Sequence, residues 1–197
     1  MLDKMNTRII HTILFLLIQQ GILWIDAWSQ NGEESQFTSR LNVSYLFGGQ
    51  LYNDHFIYNP GFSIQYAHSY KVSKNFEAGI GTGYIHLTEE SFVPVYVEVL
   101  GYKKHSKNSP FIRFQMGGSA AWYRNDNYPS DYDLKGRIFF SAGMGRRIQI
   151  NERYSVLFQW SLCHISALVE YQIFDGNDYS SLANYDMLQL SFGIMRL

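Results

Sequence analysis

The stretch Phe111-Ile-Arg-Phe-Gln-Met-Gly-Gly-Ser-Ala-Ala-Trp122 alternates between two kinds of side chain. One set of positions is mostly large and apolar: Ile112, Phe114, Met116, Ala120 and Trp122. The positions between them are small or polar: Arg113, Gln115, Gly117, Ser119 and Ala121. Because successive side chains of a β-strand point to opposite faces, the stretch predicts a strand with one apolar and one small or polar face. Segments of this length and alternation are the pattern of a membrane β-barrel.

The same alternation recurs on both sides of this stretch. It predicts about eight strands, at 39–50, 60–71, 75–88, 91–103, 110–124, 135–149, 153–168 and 186–197. We therefore predict an all-β fold, a closed antiparallel up-and-down transmembrane barrel.

Composition favours a membrane protein that crosses with strands. Aromatic residues make up 17% of the 197 residues, and charged residues also only 17%, well below the usual quarter. Beyond the N-terminal segment, no run approaches the roughly 18 apolar residues of a helical span. The net charge of −1 gives no indication of a nucleic-acid partner.

The N-terminal segment has the features of an export signal. Lys4 and Arg8 precede an apolar stretch, and Ala27-Trp28-Ser29 supplies small residues at a cleavage position. We expect a cleaved signal peptide at 1–29, a short periplasmic lead at 30–38 and the barrel at 39–197. The alternative is a retained membrane-anchor helix.

The predicted connections alternate in length. Those at 71–75, 102–110 and 150–153 are short, whereas those at 51–59, 125–134 and 174–185 are longer and rich in Asn, Asp, Tyr and Ser; only 88–91 breaks the rhythm. Outer-membrane barrels have short periplasmic turns and long outer loops. The rival fold, a soluble barrel of the lipocalin kind, has its apolar residues inside and charges outside, whereas here the apolar face is nearly free of charge.

The pattern resembles the small outer-membrane β-barrel family, to which OmpX and the OmpA membrane domain belong. The stretch Phe92-Val-Pro-Val-Tyr-Val-Glu-Val-Leu100, its Lys-rich turn and Pro110-Phe-Ile-Arg-Phe-Gln-Met-Gly-Gly118 are similar to porin-like barrels of Bacteroidetes. The resemblance implies a Gram-negative outer-membrane location, contact with lipid and lipopolysaccharide, and insertion by the barrel-assembly machinery. The chain ends on Leu197, whereas such barrels usually end on an aromatic residue.

An eight-stranded barrel is filled by its own side chains, so we do not expect a diffusion pore. The polar face carries four charged residues that we predict to pair across the interior: Glu77, Glu98, Arg113 and Arg137. We interpret this network as a structural plug; a gated proton or ion path is the alternative.

One short motif suggests catalysis. In Cys163-His-Ile-Ser166, alternation places His164 and Ser166 on the lipid face, where a base beside a hydroxyl could form a nucleophile. The motif is similar to the His-x-Ser of outer-membrane lipid A deacylases, and that resemblance implies an acidic partner, here Glu170 or Asp178. Ala167 replaces the Asn of that family, so a deacylase stays the alternative to a non-enzymatic role.

The favoured function is a structural, adhesion or ligand-binding role through the outer loops. Candidate binding residues lie in or beside those loops: Tyr52, His55, Tyr58, Tyr123, Tyr128, Tyr132, Tyr179 and Tyr185. An aromatic belt at the membrane surface is the other interpretation of these residues. No cofactor or metal is predicted, because the six His residues lack metal-ligand spacing, and we expect a monomer.

Overall fold

A computed structural model describes residues 36–52, 55–103, 108–123, 132–172 and 178–197. The predicted signal peptide lies outside these residues. The described residues form these strands: β1 (Phe37–Tyr52), β2 (His55–Tyr58), β3 (Gly61–Ser73), β4 (Phe76–His86), β5 (Glu90–Tyr102), β6 (Asn108–Tyr123), β7 (Asp133–Gln149), β8 (Tyr154–Gln172) and β9 (Asp178–Arg196).

The strands close into an antiparallel barrel. From β3 to β9 each strand pairs with the next, β1 pairs with β3, and β1 also pairs with β9 from Ser39↔Arg196 to Leu51↔Asn184. β2 is a four-residue strand that folds back on the end of β1. The barrel wall thus has eight strands, which confirms the predicted fold class, and closure leaves the wall without an open sheet edge.

The two faces of the strands point as predicted. On β6, Ile112, Phe114 and Met116 are 48–61% exposed on the outside, whereas Arg113 and Gln115 are 1% exposed inside. An apolar exterior around a polar interior is the arrangement of a membrane barrel, since lipid solvates the outer side chains. No helix in the described part of the chain is long and apolar enough to span a membrane.

The last hairpin is longer than the sequence predicted. β8 extends to Gln172 and β9 begins at Asp178, so most of the segment 174–185 that we predicted as an outer loop is strand. The pairing continues out to Tyr171↔Tyr179 and Gln172↔Asp178. A polar, tyrosine-rich composition favours a loop, whereas the strand here depends on cross-strand partners that the local sequence does not indicate. The predicted loop at 51–59 likewise contains the β1–β2 hairpin.

Candidate functional site

A cluster of buried charges lies in the middle of the barrel interior, centred on Arg40 of β1. Its Nη1 donates to Glu77 Oε2 at 2.5 Å, and its Nη2 donates to Ser69 Oγ at 2.5 Å and also to Glu98. Thr38 donates a further hydrogen bond to Glu77 Oε2 at 2.9 Å. One guanidinium group therefore joins two carboxylates that come from β4 and β5.

Arg113 of β6 extends the cluster toward the other side of the interior. Its Nη2 donates to Gln65 Oε1 at 2.9 Å, and its Nε lies 3.8 Å from Glu98 Oε2. Glu98 thus lies between two arginines. Two Arg and two Glu balance one another, which reduces the cost of burying four charges.

Three of the four predicted interior charges lie in this cluster: Glu77, Glu98 and Arg113. The fourth, Arg137, is exposed on the outside, and its prediction was wrong. A β-bulge between Gly136 and Phe139 breaks the alternation, so Arg137 and Ile138 both point outward.

Arg40 is the member of the cluster that was not predicted from the sequence. It is fully buried and makes more of these contacts than any predicted residue. Alternation along the first predicted strand places Arg40 with Asn42 and Ser44, opposite Leu41 and Val43, so the signal was present in the sequence.

Apolar layers cover the polar cluster at both ends of the barrel. Along the inner face of β5, Phe92 and Tyr96 belong to one apolar cluster, Glu98 is polar, and Leu100 and Tyr102 belong to a second apolar cluster. The upper cluster, on the side of the long β8–β9 hairpin, also contains Leu46, Ile85, Leu87, Phe139, Ile165, Tyr185 and Met187. The lower cluster is completed by Phe111, Leu157 and Met195. The interior is therefore filled with buried side chains at three levels.

Three stacked tyrosines lie at the end of the barrel that carries the long β8–β9 hairpin: Tyr132 directly precedes β7, Tyr171 lies on β8 and Tyr179 lies on β9. The ring centroids of Tyr132 and Tyr171 are 5.1 Å apart, and those of Tyr171 and Tyr179 are 5.9 Å apart, with interplanar angles of 10° and 18°. We call Tyr132, Tyr171 and Tyr179 the tyrosine ladder. Leu134 and Val169, which lie one step closer to the barrel on the same face, continue into the upper apolar cluster.

The opposite face of this extension is charged. Lys135 Nζ donates to Glu170 Oε2 at 2.5 Å and lies 3.7 Å from Asp133 Oδ2. Side chains on alternating positions therefore separate an aromatic inner face from an ion-paired outer face.

The other predicted outer-loop residues are placed differently. His55 and Tyr58 are exposed on β2, Tyr123 is partly buried against the upper apolar cluster, and Tyr52 is the last residue of β1. Tyr128 lies outside the described residues. Tyr185 is not a loop residue as predicted: it is 1% exposed, and its hydroxyl donates to Glu90 Oε1 at 3.1 Å. β9 extends through this position, and alternation turns the ring inward.

His164 and Ser166 make separate contacts. His164 Nδ1 lies 2.7 Å from Asp186 Oδ1 across the β8–β9 pair, and Ser166 Oγ accepts a hydrogen bond from Ile138 N at 3.2 Å. No hydrogen bond joins His164 to Ser166 among the described side chains.

The acids proposed for this dyad lie elsewhere. Glu170 pairs with Lys135, and Asp178 is the first residue of β9, opposite Gln172. The carboxylate beside His164 is that of Asp186, and the serine hydroxyl is held by the β-bulge.

Comparisons with known proteins relate the chain to solved structures only. No family model matches it, and no curated protein matches it. The barrel superposes on the crystal structure of Neisserial surface protein A with a TM-score of 0.61 at 10% identity, covering 82% of this chain and 97% of that one. It superposes on the outer membrane protein AlkL, solved in lipid bilayers, with a TM-score of 0.60 at 13% identity, covering 85% and 93%. For the outer membrane protein OprG of Pseudomonas aeruginosa the TM-score is 0.50 at 7% identity, covering 84% and 97%.

The chain has the fold of the small outer-membrane β-barrels. The evidence for this is the coverage of nearly the whole length of each similar structure, together with the closed eight-stranded wall. At these sequence identities the likeness concerns the fold and not the activity.

One serine–histidine contact that was not predicted lies on the outward-facing side of the barrel wall. Ser91 Oγ lies 3.0 Å from the Tyr84 hydroxyl and 3.2 Å from His86 Nδ1, and Trp122 is its partner on β6. Ser91 is 0% exposed. A hydroxyl covered by its neighbours cannot reach a substrate without rearrangement, so this cluster satisfies its own polar atoms at the edge of the apolar exterior. The pairing register across the short β4–β5 turn was needed to find it.

Proposed function

We propose that this chain is an integral outer-membrane protein that acts by binding through its outer end, as an adhesion, ligand-binding or envelope-structural barrel. It is not an open diffusion pore. The observation that carries this proposal is the filled interior: the Arg40 cluster lies between two apolar layers of buried side chains. A lumen filled in this way has no continuous aqueous path for solutes.

The outer-membrane location is supported by the exterior and by the fold. Large apolar side chains cover the wall on every strand from β1 to β9, and the three similar structures described above are those of outer-membrane or surface proteins. Lipid and lipopolysaccharide are then the molecules that contact the exterior, and the barrel-assembly machinery is the partner for insertion. We propose that the barrel acts as a monomer.

Binding at the outer end is supported by the tyrosine ladder. Tyr132, which directly precedes β7, and Tyr179, which pairs with Tyr171 on β8, are 37% and 39% exposed. Tyrosine rings offer a large apolar contact area and a hydroxyl at little cost in conformational entropy. The ladder is therefore a preorganised contact surface at the end that we assign to the cell exterior.

Two measurements test this proposal. The full chain should fractionate with the outer membrane and show a change in gel mobility on boiling, because closed barrels resist unfolding until heated. The purified protein should give no stepwise conductance in planar bilayers, under conditions in which an open porin conducts. Recovery in the soluble fraction contradicts the location, and stable open channels contradict the closed-interior proposal.

A further inference from the structure

Arg146 is a cation on the apolar exterior of the barrel. It points outward from β7 between Met144 and Ile148, which are 47% and 39% exposed. Its cross-strand neighbours are Pro110 on β6 and Phe158 on β8. Arg146 is exposed and makes no ion pair with any residue in the described part of the chain.

Lys103 lies in the same cross-strand row. Its backbone N–H donates to the Pro110 carbonyl at 3.1 Å, and Pro110 pairs with Arg146 in the next register. Lys103 and Arg146 therefore flank Pro110 from its two neighbouring strands. The side chains of Lys103 and Arg146 are both exposed.

A cation at this depth requires an anionic partner or water. Ile148 and Ile150 lie beyond Arg146 toward the nearer end of the barrel and are also exposed, so exposed apolar side chains lie on both sides of Arg146 along the chain. A long basic side chain in that position extends toward the headgroups. The anion available there is a lipid phosphate.

A shallow groove begins next to this pair of cations. Gly101 lies between Phe76 on β4 and Ile112 on β6. Gly101, Ile112, Met144 and Phe158 line one depression in the barrel wall, and Lys103 and Arg146 belong to the same lining. Such a depression fits an acyl chain that runs toward the membrane centre.

We propose that Lys103 and Arg146 bind the phosphodiester of an anionic phospholipid in the periplasmic leaflet, with one acyl chain along the groove at Gly101. This inference rests on the outer-membrane placement proposed above. Lys103 and Arg146 lie at the same end of the barrel as the short turn at 74–75. The first residue of β1, Phe37, and the last residue of β9, Arg196, also lie at this end, and the long β8–β9 hairpin lies at the opposite end. Short turns mark the periplasmic side, and lipopolysaccharide occupies the other leaflet.

The charge of the pair selects the headgroup. Phosphatidylglycerol carries a phosphate with no amine to neutralise it, whereas phosphatidylcholine carries its own cation. Two unpaired basic side chains therefore favour phosphatidylglycerol. The Arg146 guanidinium can donate two parallel hydrogen bonds to one phosphate, and the Lys103 ammonium adds a point charge.

Native mass spectrometry of the full chain, titrated with phosphatidylglycerol or phosphatidylcholine, tests the site. We expect the wild-type protein to retain phosphatidylglycerol in preference to phosphatidylcholine. R146Q and K103Q should each weaken phosphatidylglycerol binding about fivefold, as expected for one basic residue at an anionic surface. R146K should retain part of the binding.

R137Q is the matched control, because Arg137 is also an outward-facing arginine but lies at the opposite end of β7. Its phosphatidylglycerol binding should equal that of the wild type. Inorganic phosphate should not compete at equal concentration, because it lacks the acyl chain; competition would assign the site to a free phosphate and overturn the lipid proposal.

The outcomes separate this inference from the proposed function. The lipid site is overturned if the wild type, R146Q and K103Q bind phosphatidylglycerol equally. The outer-membrane proposal still stands in that case if the protein is found in outer-membrane fractions and its gel mobility changes on heating. If the chain is instead recovered in the soluble fraction, both proposals fail.

Discussion

Arg40 on β1 and Glu98 on β5 form an ion pair across the barrel interior, although two strands separate them in the sheet. Both side chains are fully withdrawn from solvent. This contact joins parts of the wall that the backbone ladder does not connect directly.

Replacing Arg40 should destabilise the barrel strongly. R40M leaves Glu77 and Glu98 buried without their main cation, and we expect a loss of about 3–5 kcal/mol in the free energy of unfolding. The measurement is a urea titration of the folded protein in lipid vesicles, followed by tryptophan fluorescence. R137M, which changes an exposed arginine, should stay within about 0.5 kcal/mol of the wild type. The triple variant R40M/E77Q/E98Q should recover part of the loss, and no recovery would contradict the role of the orphaned carboxylates.

Gly81 should not accept a methyl group. The Tyr96 ring covers Gly81 on the neighbouring strand, and a Cβ there would lie 2.5–2.7 Å from three atoms at the end of the Tyr96 side chain. G81A must displace a buried ring, so we expect a loss of about 1–3 kcal/mol. G118A is the control because the nearest atom to its added Cβ is 3.5 Å away. The same urea titration measures both, and G81A should be the less stable variant by more than the experimental error.

Lipid A should be unaffected by the residues proposed for a deacylase. Ser166 Oγ accepts a hydrogen bond from Ile138 N in the β-bulge, and His164 contacts Asp186. Because no hydrogen bond joins these two described side chains to each other, we expect cells with H164A or S166A to have the same lipid A acyl-chain pattern as wild-type cells. Mass spectrometry of lipid A is the measurement. S166A should instead lower stability by about 1 kcal/mol through loss of the hydrogen bond. Loss of ester cleavage in either variant would establish the enzyme and refute the binding role as the sole function.

The tyrosine ladder should stabilise the outer extension locally. Removing the central ring in Y171A eliminates both stacking contacts, each of which contributes about 0.5–1.5 kcal/mol beyond buried area. Hydrogen exchange should therefore become faster in the outer halves of β8 and β9 and stay unchanged in the barrel wall. Y58A, which changes an exposed ring on β2, should not alter exchange in β8 and β9. If hydrogen exchange in β8 and β9 of Y171A is the same as in the wild type, backbone pairing alone holds the extension, and the stacking prediction is contradicted.

Much of the fold was predictable because a barrel strand has one simple periodicity. Large and small side chains alternate along residues 111–122, and the structure places them outside and inside as that pattern requires. The same rule places Glu77, Glu98 and Arg113 in the interior, and it also holds for Arg40, which was not among the predicted interior charges.

The failures occurred where pairing between strands overrides the local pattern. Arg137 points outward because a bulge against β8 adds a residue to β7, and Tyr185 points inward because β9 is longer than its loop-like composition indicated. Neither the bulge nor the length of the hairpin has a local sequence signal, since both depend on which residues lie opposite.

By itself the sequence determined the two-faced strands, their number and the apolar exterior, because side-chain alternation is a property of each strand alone. Only the tertiary structure decided which residues meet. The register brought Arg40 to Glu98, aligned Tyr132, Tyr171 and Tyr179, and set Lys103 beside Arg146 across Pro110. Contacts between strands depend on how the ladder is shifted from one strand to the next, and no single strand carries that information.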